Sequence, residues 1–469
     1  MRRLIYLIVF AFCFISCTTT VEEVAEENNL ILSVFPEAGE INDEHLKLSK
    51  MNFNYQIPST TTKYSITQYE IDTLLKERVY KRSRIPVDKA IYDVKLIFKA
   101  YANCYAPYFY LGGDKVFDAC KAEIVDEIKT NYDITIPTNE LLDILYSKLS
   151  LILDSHSMIG SKSVGENKYK YYYCDIKLNK VDDSYFLEDD TNLIFDSIDN
   201  PYVKVGLSMN SEGDIFYSFI QHCPEEYSHK ADIAYFKDKE NRIAEIKIDW
   251  IASSTIAKSK DIFSLNESDG IAYIKINSFS NKASTKDLQA FVDSGKKVRN
   301  AKAIILDLRG NRGGSTNYIE AWVRNLTGKN PSAPRKKLHR VSRINSKNES
   351  SSYTLKSSNG MYLKNEIPIF VLVDYKSASS AEAAVEYFKC MENAFIIGSN
   401  TAGYLLANSG SDYTMFLPNS KISFSFGQNM YLTFTDKTLD KVGYEPDIWI
   451  NPKASLDAVY ALIEKAIQQ

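Results

Sequence analysis

Two short stretches decide the fold of this chain: IILDLRGNRGG at residues 304–314 and VLVDYKSASSAE at residues 371–382. Each begins with a continuous apolar run, which is typical of a strand buried on both faces of a parallel sheet. The first run ends in paired glycines, which let backbone N–H groups approach a ligand closely. The second passes through serines into a predicted helix, whose N-terminus favours an anion. Together, the two strand ends would place a nucleophile beside an oxyanion hole, which indicates acyl transfer.

The composition of the whole chain is that of an ordinary globular protein. Its 469 residues suffice for two or three domains, and 45% of them are hydrophobic and 25% charged. The formal net charge of −4 argues against a broad nucleic-acid surface, so we expect no nucleic-acid partner. The main basic run, at residues 335–337 with Arg340, is predicted to be a solvated loop.

The N-terminus has the features of a secretory signal. Two arginines precede an apolar stretch at residues 4–15, which is too short to span a bilayer. The stretch ends in FISC at residues 14–17, which resembles a bacterial lipobox with Cys17 as the acylated residue. A lipid on Cys17 would be the sole membrane anchor. We therefore expect residues 1–17 to be a signal peptide and the protein to be an exported cell-envelope lipoprotein, periplasmic or on the outer-membrane surface, with plain secretion as the alternative.

The hydrophobic pattern divides the rest of the chain into four parts. Residues 18–85 begin polar and acidic and are predicted to be a tether and a variable N-terminal segment. Helical periodicity predicts a helical module over residues 86–162. Short β-prone runs between turn residues predict a β-rich insert over residues 163–262. Strands and helices alternate over residues 263–469, which indicates an α/β core in a chain of mixed α and β structure.

The cysteines show no metal-binding pattern. Of the seven, five lie beyond Cys17, an odd number without C-x-x-C spacing. An oxidising compartment permits a bridge between Cys104 and Cys120, and buried free thiols are the alternative. The sequence implies neither a metal nor an organic cofactor.

The serines that follow the second strand have two readings. Ser379 and Glu382 fit S-x-x-E, a capping box in which the serine only satisfies a helix amide. The surroundings favour a functional role, because the serines follow one buried strand and a glycine-rich turn follows another. That turn, at residues 307–314, lacks the GK[ST] ending and the G-x-G-x-x-G spacing of phosphate-binding loops, so a phosphate loop is disfavoured and an ordinary tight turn is the stronger alternative.

The best candidate for a base that activates the serine is His156. It lies just beyond a helical stripe, where a capping or solvated histidine is the ordinary alternative. The chain has five histidines. The other four lie in the predicted tether, the basic run and the insert: His45, His339, His222 and His229.

Taken in order, these motifs resemble the C-terminal processing, or tail-specific, serine proteases and the related tricorn core protease. The similarity includes D-x-H-[ST] at residues 154–157, D-L-R-x-N-x-G-G at residues 307–314 and S-A-S-x-x-E at residues 377–382. It continues through residues 398, 401–403, 417–419 and 443–447. The resemblance implies a ClpP/crotonase-like catalytic core and a serine endopeptidase that acts on polypeptides.

The resemblance also assigns roles. Ser379 would be the nucleophile, and the N–H groups of Gly314, helped by Gly313, and of Ser380 would form the oxyanion hole. In the tail-specific branch a lysine base follows the T-x-G turn. Here that position is Tyr404, and a phenol is not a base at neutral pH. A Ser–Lys dyad at this position is therefore excluded.

The tricorn-like branch is the closer of the two. It uses a histidine preceded by a serine, and Ser155 and His156 stand at the matching place. Its fourth member is an acid upstream of the G-x-x-P-D turn, which would be Asp440, with Glu445 as the alternative. By the resemblance, His156 takes the Ser379 proton and returns it to the leaving amine, while Ser155 and the acid orient the imidazole.

Two features depart from the family pattern. Tail-specific proteases usually carry a PDZ module before the core, but residues 166–255 lack its glycine-bearing carboxylate loop. The insert is therefore either a strongly diverged PDZ domain or another β-rich domain, and recognition of a free C-terminus is not supported. The missing lysine motivates an alternative function, a non-catalytic protein that binds peptides or apolar ligands on the same scaffold.

Overall fold

The computed structural model describes residues 28–33, 35, 37–52, 55–56, 61–77, 83–165, 169–257, 260–346, 351–408 and 413–468. The predicted signal peptide and Cys17 lie outside these residues. No helix in the described ranges has the length and apolar character needed to cross a bilayer. The fold is mixed α/β, which confirms the predicted fold class.

Helices dominate the N-terminal part of the molecule and alternate with strands in the C-terminal part. The helices are α1 (Ala38–Ser49), α2 (Gln68–Leu75), α3 (Val87–Cys104), α4 (Gly113–Asn131), α5 (Thr138–Leu149), α6 (Thr285–Lys297), α7 (Asn317–Thr327), α8 (Ser380–Phe388) and α9 (Ser455–Ile467).

The strands fall into two series. Those of the first half are β1 (Arg84–Pro86), β2 (Thr135–Pro137), β3 (Met158–Ile159), β4 (Lys162–Ser163), β5 (Tyr169–Tyr173), β6 (Leu178–Val181), β7 (Ser184–Leu187), β8 (Asp190–Ile198), β9 (Val203–Met209), β10 (Ile215–Pro224), β11 (Ala231–Lys237), β12 (Ile243–Asp249) and β13 (Ile251–Ala252). Those of the second half are β14 (Phe263–Ser268), β15 (Ile271–Ile276), β16 (Ala303–Asp307), β17 (Arg335–Val341), β18 (Ser352–Ser358), β19 (Ile369–Val373), β20 (Ala394–Gly398), β21 (Met415–Phe416), β22 (Ser423–Ser425), β23 (Asn429–Thr433) and β24 (Ile448–Trp449).

The segment before the helical module is packed, which corrects the prediction of a tether for residues 28–50. Ile31 and Phe35 are buried, and the Phe35 ring meets Phe395 of β20 edge to face at 4.8 Å. On α1, the imidazole of His45 is buried against Asp447. Ile31, Phe35, Ala38 and Ile41 pack together in one core cluster, and so few apolar residues in a polar stretch gave no clear sign of a docked helix.

The predicted helical module is built on the stripe that its periodicity indicated. Ala90, Val94, Ile97 and Tyr101 of α3 are fully buried. They pack with α4 and α5 around an aromatic cluster that extends to β22. The chain leaves α5 at the turn that carries His156, so this module sets the position of the histidine.

One sheet runs through both the insert and the core. Its hydrogen-bonded order is β12-β11-β8-β7-β6-β10-β9 in the insert and β24-β20-β19-β16-β15-β14 in the core. The two halves meet where Ser208 of β9 pairs in parallel with Trp449 of β24. The insert strands pair antiparallel, whereas β15, β16, β19, β20 and β24 are parallel.

The central strands β16 and β19 are buried at every residue because helices cover both faces of the core sheet. Helices α6, α7 and α8 pack on one face, and α1 and α9 on the other. Since β16 and β19 are parallel neighbours, the loops that follow them emerge at the same edge. That edge carries the glycine turn and the serine turn.

The basic run is a strand, which corrects the prediction of a solvated loop. Strand β17 pairs with β18 and β23. Arg340 is fully buried and donates to the carbonyl oxygens of Ala102 and Asn103 at the end of α3. The buried Arg340 side chain therefore links the helical module to the core. The five cysteines beyond Cys17 are free and buried.

Candidate active site

Ser379 occupies a strained turn between β19 and α8. Its backbone φ of 56° and ψ of −111° are rare for a residue with a side chain, and such strain concentrates at functional sites. The Ser379 N–H donates to Glu382 Oε2 at 2.7 Å. A sharp strand-to-helix turn of this kind projects a nucleophilic hydroxyl away from the sheet.

The imidazole of His156 faces this hydroxyl. His156 Nε2 lies 3.2 Å from Ser379 Oγ, within hydrogen-bond distance. The His156 backbone N–H donates to Asp154 Oδ1 at 2.9 Å, and the Tyr404 ring packs edge to face on the imidazole at 5.2 Å. Burial lowers the pKa of His156, which favours the neutral imidazole that can accept a proton.

Ser155 and Asp440 form a buried pair beside the histidine. Ser155 Oγ and N–H both donate to the Asp440 carboxylate, at 2.6 and 2.9 Å. Burial, followed by the nearby charge of Asp154, raises the pKa of Asp440 to about 6. His156 Nδ1 has no hydrogen-bond partner in the described part of the chain. The pair therefore fixes the backbone that carries the histidine, whereas the resemblance led us to expect direct orientation of the imidazole.

The alternative acid, Glu445, lies elsewhere. Its carboxylate contacts Lys204 and lies 3.3 Å from His222 Nδ1, on strands of the insert. Of the two acids left open by the sequence, Asp440 is the one that contacts Ser155.

The glycine turn passes directly beside the serine turn. A Cβ on Gly313 would lie 2.8 Å from Ser379 Cβ, and one on Gly314 would lie 2.0 Å from the carbonyl carbon of Phe279. Both glycines also have positive φ, so only glycine fits this approach. Ser380 Oγ donates to the Gly314 carbonyl at 2.7 Å and joins the two turns.

The backbone donors at this junction are only partly those predicted. The Gly313 N–H donates to Asn311 Oδ1 at 2.8 Å, so it is already used, which corrects its expected part in the oxyanion hole. The N–H groups of Gly314 and Ser380 donate to no residue that the structure describes. Two backbone donors thus remain to receive an oxyanion next to Ser379.

The D-L-R part of the glycine motif anchors the turn from below. Asp307 accepts from Arg309 Nε and Nη2 at 2.8 and 2.7 Å and from Lys275 Nζ at 3.0 Å. These cations outweigh the effect of burial and lower the pKa of Asp307. The Asp307 and Arg309 side chains of this motif form a buried ion pair. This pair stabilises the start of the glycine turn and does not contact Ser379.

Glu382 is a residue whose importance the sequence only partly indicated. Besides the Ser379 N–H, this buried carboxylate accepts from Thr401 Oγ1 at 2.7 Å and from the N–H groups of Gly403 and Tyr404 at 2.6 and 2.9 Å. Burial raises its pKa to about 7. Glu382 therefore joins the serine turn to the turn that carries Tyr404. Its signals in the sequence were the capping-box pattern and its place as the last residue of the S-A-S-x-x-E motif.

A groove passes over the serine on both sides. One cavity, of about 530 Å³, and a second, of about 340 Å³, meet at His156, Gly314, Ser379 and Tyr404. An extended polypeptide lying in this groove would cross the serine hydroxyl, the imidazole and the two free backbone donors.

A serine hydroxyl within hydrogen-bond reach of an imidazole, beside free N–H groups, is the arrangement of serine hydrolases. Residues 270–450 match the family model described as Peptidase family S41. The matched range includes both the glycine turn and Ser379, and it supports a peptidase.

Individual relatives share little sequence identity with this chain. Over 202 residues the chain is 29% identical to the nisin-resistance protein of Lactococcus lactis subsp. lactis. The aligned residues make up 41% of this chain and 54% of that protein, so the chain spans about half the length of this relative. Mature CPAF is 13% identical, with a TM-score of 0.44 and coverage of 81% of this chain and 96% of that chain. The photosystem II D1 C-terminal processing protease is 11% identical, with a TM-score of 0.38 and coverage of 79% and 96%.

Proposed function

We propose that this protein is a serine endopeptidase in which Ser379 is the nucleophile and His156 is the general base. The observation that carries the proposal is the 3.2 Å separation of His156 Nε2 and Ser379 Oγ across 223 positions of sequence. The free N–H groups of Gly314 and Ser380 beside that hydroxyl support it. With Tyr404 in place of a lysine, the tricorn-like branch is the version of the mechanism that we propose.

The proposed reaction begins when Ser379 Oγ attacks the scissile carbonyl carbon while its proton passes to His156 Nε2. The carbonyl oxygen becomes an oxyanion that accepts from the Gly314 and Ser380 N–H groups. The intermediate collapses with cleavage of the C–N bond, and His156 delivers its proton to the leaving amine. Water then attacks the acyl-enzyme ester and gives its proton to His156, which returns it to Ser379 Oγ.

Ser155 and Asp440 are proposed to be positioning residues in this scheme. The two hydrogen bonds from Ser155 to Asp440 hold the turn that presents the imidazole. Asp440 also accepts from the N–H groups of Leu405 and Leu406 at 3.2 and 3.1 Å, next to Tyr404. Asp440 thereby holds the two backbone segments that flank the His156 imidazole.

We further propose that the protein is exported and attached to the cell envelope by a lipid on Cys17. The apolar stretch and the FISC sequence at residues 14–17 support this placement. In a bacterial host fed an alkyne-tagged fatty acid, the wild-type protein should be labelled and Cys17→Ser should not. Labelling of Cys17→Ser would contradict the anchor and leave the peptidase proposal standing.

A fluorophosphonate probe tests the nucleophile. It should label the wild-type protein and Ser268→Ala, in which an exposed serine distant from the site is changed, but not Ser379→Ala. Absence of labelling in the wild-type protein, with peptides bound but not cleaved, would favour the alternative of a non-catalytic binding protein. The unpaired His156 Nδ1 is the observation that keeps this alternative worth testing.

A further inference from the structure

The larger cavity beside Ser379 is strongly positive. Three cationic side chains line it, and among the residues that the structure describes no carboxylate does. We call this cavity, with Lys170, Arg312, Lys376 and Tyr375, the cationic lobe. Its cations come from three separate parts of the fold: strand β5 of the insert, the glycine turn and the serine turn. The topology therefore gathers them at this site.

The charges of the cationic lobe are not neutralised by residues in the described part of the chain. Lys170 Nζ lies 3.9 Å from the centre of the Tyr375 ring, and Lys376 Nζ donates to Thr255 Oγ1 at 2.8 Å. None of the three cations forms an ion pair with a residue in the described ranges. An ammonium has three donors and a guanidinium five, so most of their hydrogen-bonding capacity is open to a ligand.

The other end of the groove has a different electrostatic character. The smaller cavity also contains a cation, Arg335, but Glu386 pairs with it directly. Its remaining side chains include the neutral Asn408 and Tyr431. Along one groove, the charge is therefore compensated on one side of Ser379 and uncompensated on the other. A substrate that crosses the serine meets excess positive charge on one side only.

We infer that the cationic lobe binds a carboxylate of the substrate and so sets a preference for acidic polypeptides. This inference rests on the proposed peptidase function. The planar guanidinium of Arg312 suits bidentate contact with a carboxylate, and the two ammonium groups add point charges. Because Ser379 itself lines the lobe, the carboxylate lies close to the scissile bond along the substrate chain. It belongs either to an Asp or Glu side chain or to a free C-terminus.

Matched fluorogenic peptides test the preference. One neutral, C-terminally amidated sequence is compared with versions that carry a single Glu at each position near the cleavage site, and with the neutral sequence ending in a free carboxylate. At low ionic strength, kcat/KM should be about tenfold higher for an acidic version than for the neutral amide. An advantage for internal Glu identifies the side chain as the ligand, and an advantage for the free acid alone identifies the C-terminus.

Charge-removal variants tie the preference to the lobe. In Lys170→Met and Lys376→Met, the ratio of kcat/KM between acidic and neutral peptides should fall several-fold, because one cation is lost and the apolar stem is kept. Lys129→Met, which removes an exposed charge on α4, should leave the ratio unchanged. Equal rates for all peptides in the wild-type protein would overturn the inference while the peptidase proposal survives.

Binding measurements distinguish the cationic-lobe inference from the proposed peptidase function. In Ser379→Ala, fluorescence polarisation should show that the acidic peptide binds more tightly than the neutral amide, and addition of Lys376→Met should remove the difference. If the wild-type protein cleaves no peptide, the proposed function fails, but this binding difference still supports the cationic lobe. Equal affinity of both peptides would overturn the lobe whatever the outcome of cleavage.

Discussion

At the scale of single residues, the site depends on buried polar groups whose partners are backbone N–H groups. Glu382 and Asp440 each accept backbone N–H hydrogen bonds, and burial raises the pKa of both carboxyls. These acids hold turns in place, while Ser379 and His156 face the groove. The division between groups that would react and groups that position them suggests separate tests for each.

The pH dependence of peptide cleavage should report His156. Because burial lowers the pKa of this imidazole, it stays neutral to a lower pH than an exposed histidine, and kcat/KM should fall only below about pH 6.5. His156→Ala should lose activity by a factor of about 10³ or more at pH 7.5. An acid limb centred above pH 8, as expected for a lysine base, would contradict the assignment.

The ionisation of Glu382 should make the protein less stable as pH rises. Its folded pKa of about 7 exceeds the ordinary carboxyl value, so the folded state holds a proton that the unfolded state releases between about pH 4.5 and 7. The free energy of unfolding should fall across this window by an amount on the order of 3 kcal/mol. In Glu382→Gln, denaturant unfolding at both ends of the window should show a smaller fall. An identical fall in the variant would exclude Glu382 as its source.

At the scale of elements, two loops after neighbouring parallel strands make the site. Strands β16 and β19 share a register that brings the glycine turn and the serine turn to one sheet edge. Gly314 lies against the Phe279 backbone at a distance that leaves no room for a side chain. The position of the Gly314 N–H, a proposed oxyanion donor, is therefore set by loop packing.

Two substitutions in the glycine turn should distinguish the effect of close packing on activity from the effect of backbone strain. Gly314→Ala places a methyl group against the Phe279 backbone and should reduce kcat by about 10²-fold or more through displacement of an oxyanion donor. Gly310→Ala is the matched control, because its φ of 78° is also positive but a Cβ there would meet nothing within 4 Å. Both variants should lose stability from strain, by about 1–3 kcal/mol. Equal loss of kcat in the two variants would contradict a specific role for Gly314.

At the scale of the whole molecule, distant segments converge on the core sheet. The helical module brings His156, the C-terminal turns bring Asp440, and the insert sheet continues directly into the core sheet. The N-terminal segment covers the opposite face through α1, where Asp447 contacts both His45 and Lys389. Burial alone would raise the pKa of Asp447, but its contacts with Lys389 and the His45 imidazole outweigh that effect and lower it.

Removal of the His45 side chain should weaken the docking of α1. His45→Ala leaves a buried carboxylate with one partner fewer and opens a gap under the helix, so the free energy of unfolding should fall by about 1–3 kcal/mol. Glu44→Ala, an exposed change one position away, should have little effect. Equal stability of His45→Ala and the wild-type protein in denaturant would show that α1 contributes nothing through this contact.

The sequence indicated much of this architecture because strong local patterns carried it. Buried apolar runs predicted β16 and β19, and the helical stripe predicted α3. The docking of residues 28–50 was missed because four or five apolar side chains in a polar segment decide it. The basic run at residues 335–337 was misread because strand pairing and a buried ion pair overrode its charge.

The candidate site was predictable as a set of motifs but not as a set of contacts. Motif order gave Ser379, His156, Ser155, Asp440 and the glycine turn. Which N–H groups are free depends on Asn311, whose side chain already occupies the Gly313 donor. That His156 Nδ1 is unpaired, and that Lys170 of the insert reaches the groove, depends on tertiary packing that no local pattern encodes.

The proposed mechanism requires an acyl-enzyme formed on Ser379 with the help of His156. Intact-mass spectrometry of protein quenched in acid during turnover of an activated peptide ester measures this directly. We expect one acyl adduct, mapped to Ser379, that forms in the wild-type protein, forms far more slowly in His156→Ala and does not form in Ser379→Ala. An adduct on another residue, or turnover that persists in Ser379→Ala, would contradict it.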